Sequence, residues 1–87
     1  MSDDAVLGRV QAIVAGIAGR DRTPEGAGPD TPLGDSGYWL DSVDVLEVIL
    51  ACETEFGTVF EAGADLTADT LRTPRGLADL ISGKTRA

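Results

Sequence analysis

The sequence predicts an all-α fold: a small antiparallel four-helix bundle of three main helices plus one short helix, with a long loop between helices one and two. Three observations lead there. Apolar residues recur at helical spacing in three stretches, Val6 to Ile17, Val45 to Phe56 and Leu77 to Ile81. Such an i, i+3, i+4 rhythm marks a helix with one buried face. Helix-start and helix-stop residues bracket those stretches. The one β-prone run, Thr58-Val59-Phe60, is too short to make a strand. At 87 residues the chain is one small domain, and at 43% hydrophobic it is too apolar for a disordered tail. With 5% aromatic residues its core must be aliphatic.

Helix one is expected from about Asp3 to Ala18. Val6, Leu7, Val10, Ile13, Val14 and Ile17 form its apolar face. Ser2 is placed to cap it, and Asp3 and Asp4 fall in the first turn, where the helix dipole favours negative charge. Gly16 and Gly19 weaken its far end, and Arg20 suits a C-terminus. The stretch GRDRTPEGAGPDTPLGDSGYW that follows is rich in Gly, Pro, Asp and Thr and reads as loop. Its length is unusual for a compact domain, and long loops are often functional. Leu33, Tyr38, Trp39 and Leu40 are the residues able to pin it to the core.

Helix two should start at Asp41 or Ser42 and end near Phe56-Gly57, with Gly57 just past the helix end. On a helical wheel Val45, Val48, Ile49, Cys52 and Phe56 share one face, the expected core face. Val43, Leu46, Glu47, Leu50 and Glu53 lie on or near the other side. Three of those five are apolar, which is odd for a solvated face: either neighbouring loops cover some of them, or the face is a docking surface. Farther on, Thr67 is placed to cap a single short helical turn in LTADTLR. Thr73 as N-cap and Pro74 as first helical residue open the last helix, with Leu77, Leu80 and Ile81 as its apolar stripe. The tail SGKTRA is polar and reads as frayed.

Composition excludes several functions. The formal net charge of −8 argues against nucleic acid and against anionic membranes, since both need a basic face. It suits solubility, or docking onto basic patches of other proteins. The chain has no histidine, which removes Ser-His-Asp and Cys-His nucleophiles and most zinc sites. No phosphate-cradling glycine loop or calcium-loop pattern occurs, so no metal site is expected. The lone cysteine, Cys52, falls on the core face of helix two, where an inert buried thiol is expected. One cysteine fits a reducing compartment. The first residues are acidic where a signal peptide would be basic, and no long apolar run follows. The expectation is a soluble, cytoplasmic, non-catalytic protein.

Ser42 stands open between two readings. It is a capping residue, a role that Asp41 fills equally well. Or it carries an anionic group, which the free N–H groups and dipole of a helix start accommodate. Asp41 and Asp44 would oppose that charge in part.

The stretch LDSVDVLEVILACETEFG resembles the signature of acyl carrier proteins, in which an Asp-Ser pair opens the second helix. The likeness continues through LTADTLRTPRGLADLI, which is similar to that family's short third helix and its fourth. Helix one and its loop match only in pattern. The resemblance implies that residues 1–87 form one acyl-carrier-like domain. It implies 4'-phosphopantetheine, esterified to Ser42 from coenzyme A by a separate transferase that uses its own magnesium. Acyl groups would then ride as thioesters on the arm, and no base in this chain would be needed. It also makes Asp41, Val43, Asp44, Glu47, Leu50 and Glu53 the partner-facing side of helix two. The implied partners are a phosphopantetheinyl transferase, a ketosynthase with its chain-length factor, an acyltransferase, a ketoreductase and a dehydratase, with the carrier itself a monomer.

Two departures from the family pattern stand out. Gly37 lies four residues before Asp41 where the family has its glycine two before, and Thr54 interrupts the acidic run. The longer LGDSGYWLDS segment resembles carriers of stand-alone, type II polyketide or polyene systems more than those of fatty acid synthesis. An aminoacyl or peptidyl carrier is the alternative, and a helical adaptor without a prosthetic group the third.

Overall fold

The computed structural model describes residues 3–85. Among them are three helices and no strand: α1 (Asp3–Ala18), α2 (Ser42–Phe56) and α3 (Pro74–Thr85). α1 buries Val6, Val10, Val14 and Ala18, a stripe repeating every four residues. Leu7, Ile13 and Ile17 pack along its edges. Valine is a mediocre helix former, so packing and not propensity holds this helix. Gly19 ends it in the left-handed region at φ 79°, donating its N–H to the Ala15 carbonyl at 2.9 Å. The expected cap Ser2 lies outside the described residues.

The loop over residues 19–41 is a folded structure. The Leu33 N–H donates to the Arg72 carbonyl, and Leu40 N–H to that of Leu33, both at 2.9 Å. The Tyr38 N–H reaches the Pro32 carbonyl at 2.9 Å and the Arg75 N–H that of Pro29 at 2.9 Å. Asp30 pairs with Arg75 at 2.8 Å. The loop is thereby bonded to the start of α3. Leu33, Tyr38 and Leu40 are buried in the core, as a loop of this length requires.

α2 begins and ends as its sequence predicts. Its buried face is Val48, Ile49 and Cys52, with Val45 and Phe56 partly buried beside it. Gly57 closes it at φ 62°, ψ 38°, its N–H returning to the Glu53 carbonyl. The expected fourth helix is only a turn. Leu71 N–H bonds the Thr67 carbonyl at 3.0 Å, and the Thr67 and Thr70 hydroxyls tie the turn at both ends. One i, i+4 bond does not propagate, because Thr73-Pro74 follows at once and starts α3. Thr73 Oγ1 caps α3, accepting from Gly76 N–H at 3.2 Å.

The C-terminal expectation needs correction. SGKTRA is not a frayed tail as a whole: α3 runs through Thr85, and Ser82 is buried. Thr85 Oγ1 donates to the Ile81 carbonyl at 3.0 Å, and Lys84 binds Asp65 at 2.7 Å. Arg86 and Ala87 lie outside the described residues. α1 packs on both other helices, most extensively on α3, while α2 and α3 meet far less.

Candidate functional site

The start of α2 is built by Asp41. Its backbone is extended, at φ −87° and ψ −177°, and its Oδ1 accepts the Asp44 N–H at 2.8 Å. Asp44 Oδ2 accepts the Asp41 N–H in return, at 3.2 Å. This reciprocal pair is a capping box. It removes one of the two roles open for Ser42: the cap is Asp41, and Ser42 is the first helical residue. Ser42 is exposed, and its hydroxyl bonds no described residue. The Asp44 N–H is capped and the Val45 N–H reaches the Asp41 carbonyl at 3.0 Å. The first two N–H groups, of Ser42 and Val43, have no helical partner.

Arg22 organises the ground beneath this turn. Its Nη1 meets Asp44 Oδ2 at 2.6 Å. Its Nε and other Nη donate to the carbonyls of Ala18 at 3.0 Å and Ile17 at 3.2 Å, at the C-terminus of α1. One guanidinium therefore satisfies orphan carbonyls of α1 and binds the first turn of α2. The hydrogen bond from Arg22, then that from the Asp41 N–H, holds the Asp44 carboxyl below its ordinary range. Arg22 thus offsets one of the two acids that oppose an anion at Ser42. The sequence pointed to Arg20 for the end of α1, but Arg22 binds the carbonyls there, because the path of the loop brings Arg22 back over the helix end.

The six residues expected to face partners divide by environment. Asp41, Val43, Glu47 and Leu50 are exposed. The Asp44 side chain is 16% exposed and engaged by Arg22. Glu53 is half-buried, and its Oε2 accepts the Phe60 N–H at 2.8 Å. Leu46 lies exposed on the same side of the helix. Tyr38 and Trp39 also part company. Tyr38 is buried and anchors the loop, while Trp39 is 61% exposed. Burial pushes the Cys52 thiol up to about 11, so it is no nucleophile at neutral pH.

These features fit a covalently attached phosphate ester: an accessible hydroxyl, unbonded, at a helix start with free N–H groups and a neutralised neighbouring acid. Among the described residues no other exposed serine has that setting. Ser36 lies in the loop, at φ 72°. Among the described residues no helix is long and apolar enough to cross a membrane.

No curated protein and no solved structure matches the chain. The family model described as "Phosphopantetheine attachment site" does match, over residues 8–81. That span takes in most of α1, the loop, all of α2 and α3 as far as Ile81. Domains of this family bear 4'-phosphopantetheine covalently and work with modifying transferases and synthase enzymes. The chain belongs to the phosphopantetheine-attachment family and is a phosphopantetheine-carrying carrier protein.

Proposed function

We propose that the arm is esterified to the Ser42 hydroxyl and that the chain shuttles acyl groups between discrete synthase enzymes. The observation that carries the site is the capping box. Asp41 takes the helix cap, which frees Ser42 Oγ for the ester while the helix start keeps its dipole and two open N–H groups. The arm supplies a terminal thiol that holds an acyl group as a thioester. The rest falls to the residues of the chain. Asp41 and Asp44 fix the first turn, Arg22 holds that turn to α1, and Asp41, Val43, Asp44, Glu47, Leu50 and Glu53 make the face that partners meet.

The sequence contains no histidine, and its one thiol is buried. Removal of the Ser42 proton therefore belongs to the transferase, and residues 1–87 act as one carrier domain without catalysis of their own. The resemblance of LGDSGYWLDS to type II carriers supports polyketide or polyene assembly. A ketosynthase, acyltransferase, ketoreductase and dehydratase are then the enzymes visited. The free thiol suits a cytoplasmic setting.

The test is an intact mass after incubation with coenzyme A and a broad-specificity phosphopantetheinyl transferase. The chain gains one arm and Ser42→Ala gains none. A wild-type chain that gains nothing, or a Ser42→Ala chain that gains the same mass, sinks the assignment. Loading by a malonyl transferase supports the acyl reading. Loading only by an amino-acid adenylation enzyme replaces it with a peptidyl carrier.

A further inference from the structure

Two capping frames overlap at the start of α2. In the observed one Asp41 is the N-cap: its Oδ1 accepts the Asp44 N–H at 2.8 Å, and the Val45 N–H bonds the Asp41 carbonyl at 3.0 Å. One residue on, Ser42 is able to cap instead. Its Oγ would then accept the Val45 N–H, and the helix would begin at Val43. Serine and aspartate are nearly equal as N-caps, so the cap residues do not separate the frames. The third helical position does. Asp44 fills it in the Asp41 frame and reaches back to the Asp41 N–H at 3.2 Å. Val45 would fill it in the Ser42 frame, and a valine has no acceptor to return.

Aspartate is short for that return bond, which glutamate or glutamine usually makes. Arg22 supports it. Its Nη1 binds Asp44 Oδ2, the same oxygen that receives the Asp41 N–H. Its Nε and Nη2 are engaged by the Ala18 and Ile17 carbonyls, so the guanidinium is fixed at the end of α1. Arg22 therefore holds the carboxylate where the return bond needs it, and that bond orders no further side-chain rotamer. Without Arg22 the carboxylate is free to turn to water. The other ion pairs, Arg9–Glu55, Arg75–Asp30 and Lys84–Asp65, do not involve this turn.

We propose that Arg22 is a positioning residue for arm attachment: by fixing Asp44 it selects the frame in which Ser42 Oγ is not a cap. Arg22 bonds only Asp44 and two carbonyls of α1, so it acts through Asp44. In the attachment step the bond from Ser42 Oγ to phosphorus forms and the pyrophosphate bond of coenzyme A breaks. Adenosine 3',5'-bisphosphate leaves, and the hydroxyl proton passes to the transferase. A Ser42 Oγ engaged by the Val45 N–H would lie over the helix end with one lone pair fewer for that attack. The proposal rests on the carrier reading, which makes this hydroxyl the reacting group.

The test reads the frame by NMR in the apo-protein, before any arm is added. A helical residue has its 13Cα resonance downfield of coil and its 13Cβ upfield, whereas an N-cap, with extended backbone, does not. Ser42 should show the helical pattern in the wild type and lose part of it in Arg22→Gln. The balance of frames should move about threefold toward Ser42, the effect of a partly exposed ion pair. Asp44→Glu closes the box with a longer side chain and should restore the pattern in the Arg22→Gln background. Arg9→Gln releases the far end of α2 and should leave the pattern unchanged. Timed arm addition with coenzyme A and a broad-specificity phosphopantetheinyl transferase should slow in Arg22→Gln, recover with Asp44→Glu and keep the wild-type rate in Arg9→Gln. Salt repeats the test without a substitution: screening weakens the Arg22–Asp44 pair and should move the wild-type Ser42 resonances the same way. Resonances that ignore Arg22→Gln and salt overturn the proposal while Ser42 still takes its arm. So does a change that Asp44→Glu fails to reverse, one that Arg9→Gln shares, or one that leaves the rate of arm addition unaltered. A wild-type chain that takes no arm removes the carrier reading, and the proposal with it.

Discussion

A methyl group at Gly37 would collide with the Pro32 carbonyl oxygen, whose carbon lies only 2.7 Å from the same point. Both are backbone atoms, and the Pro32 carbonyl is also the acceptor for Tyr38 N–H, so nothing there yields cheaply. Gly37→Ala should therefore destabilise the fold by about 1–3 kcal/mol, the usual cost of overpacking. Urea unfolding checks this, and an unchanged midpoint would mean that the turn relaxes freely. Cys52 supplies a second prediction at this scale. Its thiol is fully buried and raised to about 11. At pH 8 the thiolate is scarce and out of reach. Ellman's reagent should find no free thiol in the native apo-protein and one per chain in guanidinium chloride. Rapid native labelling would contradict the burial. If it holds, any native thiol that appears after treatment with coenzyme A and transferase belongs to the arm.

The helix ends were legible in the sequence because their signals are local. Asp41 and Asp44 are three residues apart, Thr73 and Pro74 adjacent, and Gly57 lies at the last turn. What escaped was set by groups distant in the chain. The Arg22 bond to Asp44 spans 22 positions, and nothing in the acidic run of α2 marks Asp44 and Glu53 as engaged where Glu47 is free. The polar look of SGKTRA hid Ser82, a small side chain buried by tertiary packing. The Ser42 position was legible as a helix start, but its release from capping needed the reciprocal Asp41–Asp44 hydrogen bonds of the folded chain. The Arg22–Asp44 link has a pH signature. The Arg22 hydrogen bond first, then that from Asp41 N–H, lowers the Asp44 carboxyl. A lowered folded-state value means that the stabilisation is complete above the unfolded value, near 4. It is lost as pH falls through the lowered folded value. Wild type should thus exceed Asp44→Asn in stability at pH 7, and the gap should close below about pH 4. Urea midpoints from pH 7 to pH 3 test this; a gap constant across that range would mean that Asp44 acts by packing alone. The Glu61 N–H, then Lys84, lower Asp65 similarly, so Asp65 adds to the same acid limb without altering the difference between the two proteins.

At the scale of the whole molecule the three helices are not equally secured. α1 is the hub, and α3 is its main partner. α3 also holds the long loop, through the Pro29 and Arg72 carbonyls and the Asp30–Arg75 pair. α2 touches α3 little, buries three residues and presents an apolar stripe to solvent. Much of its remaining attachment is polar, by Arg22–Asp44, Arg9–Glu55 and Glu53 with Phe60 N–H. Partly exposed ion pairs contribute little each, and salt weakens them. Local opening follows the thinnest contacts, so α2 should open before α1 and α3. In native-state hydrogen exchange the amides of Val48 to Cys52 should exchange faster than those of Val10 to Val14 and Leu77 to Ile81. Every 1.4 kcal/mol of difference in opening free energy appears as about a factor of ten in rate. Added salt should widen the gap, because it weakens the ion pairs of α2 more than the apolar contact between α1 and α3. Equal protection of all three segments, or a gap that salt narrows, would show that α2 is held by its core face and that its polar ties are incidental. The predicted order has a use in a carrier. The helix that begins with Ser42 can open locally while α1, α3 and the loop keep the fold closed.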